Sequence, residues 1–237
     1  MRIDPSIFDT IRATIPPIHR AGWPFITAFA VVSLLLGMIW HPFAWVGLLA
    51  TLWCVYFFRD PFRVTPIREG LVISPADGLV QKIATVAPPV ELGIGTQERI
   101  RISIFLNVFD VHVNRIPHEG TISRLHYVPG TFVNAALDKA SEDNERQLVR
   151  ISLADGRDIG VVQIAGWVAR RILCDLKEGQ GVKTGERFGI IRFGSRVDVY
   201  LPPDVTPLVI EGQYMIGGET ILADLSSAEV LRVGVRH

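Results

Sequence analysis

From Ala21 to Phe58 the chain runs for 38 residues without a single Asp, Glu, Lys or Arg. Nothing else in it restricts the fold so much. A water-soluble core rarely needs so long an uncharged run, whereas a bilayer demands one. His41-Pro42 divides the run into Trp23–Trp40, 18 residues, and Phe43–Phe58, 16 residues. As helices these are about 27 and 24 Å long, against a hydrocarbon core of about 30 Å. Pro42 disfavours helix at His41 and suits the first turn of a second helix. The pattern predicts a helical hairpin over 21–58, either crossing the bilayer or dipping into it. Arg12, His19 and Arg20 precede the run and Arg59, Arg63 and Arg68 follow it. Basic flanks on both sides put both ends in the cytoplasm, so the expected location is the cytoplasmic face of the cell (inner) membrane. Trp23, Trp40, Trp45, Trp53 and Tyr56 supply interfacial anchors, and no A-x-A-like cleavage site follows to make the run a signal peptide.

After Arg59 the texture changes. Short β-type runs recur at 71–73, 79–86, 100–105, 111–113, 120–128, 148–153, 159–165, 187–193, 197–201, 208–210 and 220–223, with turn pairs such as Asp77-Gly78, Asp155-Gly156 and Gly217-Gly218 between them. This spacing predicts a mainly β fold, a compact sandwich or barrel. One helix is expected around Phe132–Asn144, where Ala135, Ala136, Lys139 and Ala140 favour it. The segments 179–185 and 211–218 read as strand–turn–strand units, similar to the compact β fold of biotinyl and lipoyl carrier domains. The expected organisation is a membrane-anchoring segment, 1–58, and a β domain, 59–237. With 24 basic and 24 acidic residues the net charge is zero, so nucleic acid is not an expected partner. Cys54 and Cys174 are unclustered, which gives neither a metal site nor a disulfide framework.

One dipeptide inside the β-rich region carries chemistry. In RFGSRVDVYLP, Arg192 to Pro202, the hydroxyl of Ser195 lies within reach of the Gly194 carbonyl, which no side chain shields. Attack by that hydroxyl turns the amide into an ester, and elimination across Cα–Cβ of Ser195 frees the upstream chain. The dehydroalanine left behind hydrolyses to a pyruvoyl group. Such a ketone forms a Schiff base with an amine and acts as an electron sink, an electrophile that no natural side chain offers.

The same string, with FFRDPFRVTP at 57–66, SPADG at 74–78, FDVHVNRIP at 109–117, NER at 144–146 and GQGVKTGERFG at 179–189, resembles the phosphatidylserine decarboxylase proenzymes in their short, bacterial-type branch. The resemblance implies scission between Gly194 and Ser195 into a β chain, 1–194, and an α chain, 195–237, which remain together as a heterodimer. Whether that pair assembles further stays open. It implies a pyruvoyl cofactor made from Ser195, a phospholipid substrate in the membrane, and decarboxylation of phosphatidylserine to phosphatidylethanolamine and CO₂. Asp77 matches the aspartate that orients the processing base. His112 matches the first of two histidines found in the longer branch. At the second position stands Arg115, which cannot serve as a base. The base is therefore His112 for both tasks or His118 in its place, with His126 a weaker choice. Arg115, Asn144, Glu145, Arg146 and Arg196 are candidates for binding the headgroup, and Arg192 flanks the cleavage pair. No metal is required.

Two other substrates fit a pyruvoyl enzyme, a related serine lipid such as archaetidylserine and a soluble amino acid, the second disfavoured by the apolar anchor. Two non-decarboxylase readings stand beside them, a carrier-like β domain tethered to the membrane and a membrane serine hydrolase using Ser195. Both predict an intact chain of 26.3 kDa. No G-x-S-x-G surrounds any serine.

Overall fold

The computed structural model describes residues 16–130, 144–166, 171–192, 194–227 and 229–235. The chain divides into two compact units at Phe62/Arg63.

In the first unit, α1 (Trp23–Ile39) and α2 (His41–Phe57) form the hairpin, with Trp40 extended between them and Pro42 in the first turn of α2. Small residues let the helices close on each other: Gly37 lies against Ala44, and Gly47 so close to Ser33 that an added Cβ would sit 2.1 Å from its Oγ. Outward, Leu34, Met38, Trp45 and Leu49 are all exposed, an apolar surface that water would penalise and lipid would not. The stretch Arg20–Ile39, 20 residues at a mean hydropathy of 2.0, is long and apolar enough to cross a membrane. The 17 residues of α2 are apolar but shorter. The expected spans thus differ, the first helix meeting the length of a bilayer and the second falling short.

The second unit is mainly β. Its strands are β1 (Leu71–Ile73), β2 (Gly78–Val86), β3 (Arg99–Leu106), β4 (Val113–Arg115), β5 (Gly120–Val128), β6 (Arg146–Ser152), β7 (Asp158–Ala165), β8 (Ile172–Cys174), β9 (Gly181–Val182), β10 (Arg187–Ile191), β11 (Ser195–Tyr200), β12 (Tyr214–Met215) and β13 (Ile221–Asp224). Eight of them form one curled antiparallel sheet in the order β12-β2-β3-β11-β7-β6-β5-β9. A three-stranded sheet, β4-β10-β8, and the pair β1-β13 complete the fold. The core lies on the inner face of the large sheet, where Ile102, Ile104, Val149, Ile151, Val161, Val197 and Val199 alternate with residues of the opposite face. A smaller cluster, Leu92, Ile94, Leu148, Val162, Ile164 and Tyr200, covers the other side. The 208–210 segment forms no strand; near it only Pro207 bridges to Ala223. The helix expected at 132–144 lies outside the described residues save Asn144, which is buried and non-helical just before β6.

The β1-β13 edge carries a pH-dependent clamp. Hydrogen bonds from the Arg68 guanidinium, then from the Ser226 hydroxyl and N–H, pull the Asp224 carboxyl down to about 2. Because the folded value lies below the unfolded one, near 4, this stabilisation is complete above pH 4 and is lost as pH falls toward 2. Asp224→Asn is expected to unfold at lower urea than the wild type at pH 6, the gap closing between pH 4 and 2. Identical midpoints at pH 6 would contradict the clamp.

Candidate active site

Antiparallel order brings distant segments to one end of the large sheet. There β2 begins, β3 ends, β11 begins, β7 ends and β6 begins. Asp77, the loop 107–112, Gly194-Ser195, Gly166 and Asn144-Glu145 therefore share that end. Ser195 is the first residue of β11, paired with Leu106 on one side and Ala165 on the other. It sits inside a strand, not in the gap between strands that the sequence suggested. Its hydroxyl is fully buried and has no hydrogen-bond partner among the described residues.

Gly194 is held from two directions. Its N–H donates to His112 Nε2 at 3.3 Å, and its carbonyl accepts from the Gly166 N–H at 3.1 Å. Its φ of +71° is a left-handed conformation that glycine adopts without strain. His112 is fully buried, with Nδ1 at 3.0 Å from the Asp110 carbonyl. A carbonyl only accepts, so Nδ1 carries the proton and Nε2 turns its lone pair toward Gly194. The Gly166 N–H meanwhile faces the oxygen that becomes negative if the Gly194 carbonyl is attacked.

Asn144 and Glu145 brace this donor. The Asn144 amide donates to the Ala165 carbonyl at 2.7 Å, and the Ala165 N–H donates to the Glu145 carbonyl at 3.0 Å. The Glu145 carboxylate accepts from the Ile172 N–H and the Tyr127 hydroxyl, both at 3.1 Å. Both residues, candidates for the headgroup by sequence, are buried and bonded to the end of β7.

Asp77 sits at the turn into β2. Its carboxylate accepts from the Arg63 guanidinium and the Gly217 N–H, each at 2.7 Å. Burial pushes its pKa up and the Asp110 charge adds to this, while Arg63 and the Gly217 N–H oppose them. The Asp110 carbonyl is one contact that fixes the His112 ring, and the Arg63 guanidinium is one that holds Asp77. The next residue, Gly78, has φ +145°, and a Cβ there would lie 2.2 Å from the Phe105 carbonyl oxygen. Only glycine brings the Asp77 turn this close to β3.

Four predicted residues stand apart from this array. His118 precedes β5 at the opposite end of the sheet, where it lines a groove with Arg68, Asp155 and Arg157. The length of β7 separates that end from Ser195, whereas His112 touches the Gly194 N–H. Strand alternation turns Arg196 to the face opposite Ser195, where it is buried and paired with Asp198, Nε to Oδ1 2.9 Å. Arg146 also faces that side, 4.0 Å from Glu91. Arg115 is buried, donates to the Gly185 carbonyl at 3.0 Å and packs against Gly218, bracing loops behind Asp77. Arg192 keeps the flanking position. Burial lowers its pKa and the neighbouring Arg171 charge lowers it further, with Glu145 opposing. Sequence reasoning missed Arg63, Asp110 and Gly166 as members of the site; Asp110 lay inside the quoted FDVHVNRIP and could have been found there.

A buried hydroxyl, an imidazole and a carboxylate gathered at one sheet end are the furniture of an enzyme site. Residues 50–223 match the phosphatidylserine decarboxylase family. A phosphatidylserine decarboxylase proenzyme of Paramagnetospirillum magneticum is 63% identical over 218 residues, 92% of this chain and 91% of that protein. One of Cereibacter sphaeroides is 60% identical over 226 residues, 95% of this chain and 97% of that protein. The chain belongs to the phosphatidylserine decarboxylase family.

Proposed function

We propose that the chain cuts itself between Gly194 and Ser195 and, once processed, decarboxylates phosphatidylserine to phosphatidylethanolamine and CO₂ at the membrane. The observation that carries this is Gly194, whose N–H donates to His112 Nε2 and whose carbonyl accepts from the Gly166 N–H, beside a buried Ser195 hydroxyl with no hydrogen-bond partner among the described residues. His112 Nε2 takes the hydroxyl proton as Oγ attacks the Gly194 carbonyl, and the Gly166 N–H bears the charge on oxygen. The proton passes to the departing Ser195 nitrogen, and the amide has become an ester. Loss of the Ser195 Cα proton then expels the Gly194 carboxylate and leaves dehydroalanine. Water converts this to a ketone with release of ammonia.

The residues fit the group so produced. Position 195 begins a strand bonded on both sides, at the sheet end where His112 sits. The pyruvoyl ketone supplies an electron sink for the pair released as CO₂ leaves. His112 is placed to return a proton to the carbon that loses it. Arg192 and Arg171 form a local excess of positive charge suited to the lipid phosphate. The new α chain stays bound, because its β11 lies between β3 and β7 and its β13 pairs with β1, and β1, β3 and β7 belong to the β chain. Burial of Val197 and Val199 adds about 1.5–3 kcal/mol each to that hold. The apolar hairpin keeps the enzyme at the inner membrane, on the cytoplasmic face, where its substrate resides.

Intact-mass analysis of the purified protein is expected to show two chains, the smaller of 43 residues and without a free N-terminal amine. A single chain of 26.3 kDa would overturn the reading.

A further inference from the structure

Beneath Ser195 lies a pair of buried amides that the chemistry above does not use. Gln163 Nε2 donates to Asn114 Oδ1 at 2.7 Å, and both side chains are fully buried. Asn114 Nδ2 and Gln163 Oε1 have no hydrogen-bond partner among the described residues. Whichever way the two amides turn, one donor and one acceptor are left over. Leaving both buried and unmet costs free energy that an apolar pair of the same size would avoid.

Their place in the fold gives them a task. Gln163 is directly opposite Val197, and Ala165 directly opposite Ser195. Gln163 and Ser195 therefore share the inner face of the sheet, one cross-strand diagonal of about 7–8 Å apart. Asn114 follows His112 by two residues along an extended segment, so alternation turns both to the same side. Gly189, opposite Asn114, keeps the space open: a Cβ there would come within 3.3 Å of Gln163 Nε2. The leftover groups thus lie on the Ser195 face, between the two sheets.

We infer that Asn114 and Gln163 bind the amino-acid end of the serine headgroup, the Asn114 amide N–H meeting the α-carboxylate and the Gln163 carbonyl meeting the amine. This rests on the proposed function and deepens it. Once the amine is held at residue 195, the carboxylate lies one carbon away. A hydrogen bond to it fixes which bond of that carbon is presented for cleavage. The pair would also account for selectivity, because a lipid without a carboxylate leaves the Asn114 donor unmet.

The test is Asn114→Asp in the full chain, which retains the acceptor for Gln163 and puts an oxygen, repelling a carboxylate, where the leftover N–H donor stood. The probes are dihexanoyl phosphatidylserine as substrate and dihexanoyl phosphatidylethanolamine, which lacks the carboxylate, as competitive inhibitor. The variant is expected to cut itself and to show a KM for the serine lipid raised about 10- to 100-fold, with the inhibition constant of the ethanolamine lipid, whose ammonium a carboxylate attracts, not raised. Gln163→Met, which removes the acceptor for the shared amine, is expected to raise both. A KM within twofold of wild type, or parallel rises in Asn114→Asp, overturns the inference, since a general disturbance of packing would move both constants together. Failure of both variants to cut overturns it as well, because the pair would then serve folding or processing. Wild type run alongside separates the two levels: if it neither cuts nor decarboxylates, the reading of Ser195 fails and takes this inference with it.

Discussion

Ser195→Ala is expected to leave one chain of 26.3 kDa with no decarboxylase activity. The effect is all-or-none because the hydroxyl has two roles, nucleophile toward the Gly194 carbonyl and source of the ketone. Alanine supplies neither. The fold should survive, since the hydroxyl is buried with no hydrogen-bond partner among the described residues, so that its removal leaves none of them unsatisfied. A melting temperature at or slightly above that of wild type is therefore expected, and it separates lost chemistry from lost structure. Measurable decarboxylation by the uncut variant would refute the assignment of Ser195, whatever the state of the chain.

Local signals were enough for the parts of this molecule that obey local rules. Pro42 and the uncharged run set the two helices to within a residue or two. Alternating β-branched residues with Gly and Asp turns marked most strands. What local signals cannot state is which strands become neighbours, and the site depends on that. Asp77, His112, Gly166 and Ser195 are joined only by the order β2-β3-β11-β7. The same order sends His118 to the far end, although only five residues separate it from His112. Period-two alternation does bear on Arg196: the residue after Ser195 in a strand must face away from it, and the partner found there is Asp198, two residues on. The Gly166 N–H had no signal at all, because a backbone donor is written by the fold and not by a side chain. The NER motif marked Asn144 and Glu145 for the site but could not show that, buried at a strand start, they bond to the end of β7 and to β8.

His112→Ala should be the second large loss. The imidazole touches Gly194 directly, its Nε2 accepting from the N–H of the residue whose carbonyl is to be attacked. A positioned general base contributes typically 10²–10⁴-fold, so precursor cutting is expected to slow by about that factor. Asp77 offers no substitute, because its oxygens are engaged by Arg63 and the Gly217 N–H. Removing a fully buried ring leaves a cavity of its own size with the Asp110 carbonyl still at its edge. Added imidazole can fill that space, donate to the same carbonyl and present a basic nitrogen to Gly194. Cutting of the variant, followed by intact mass over time, should therefore resume with millimolar imidazole and rise with pH as the free base replaces imidazolium. N-methylimidazole cannot both donate to Asp110 and accept from Gly194, so it should rescue poorly. Cutting of His112→Ala at the wild-type rate without any added base would place the proton transfer elsewhere and remove His112 from the mechanism.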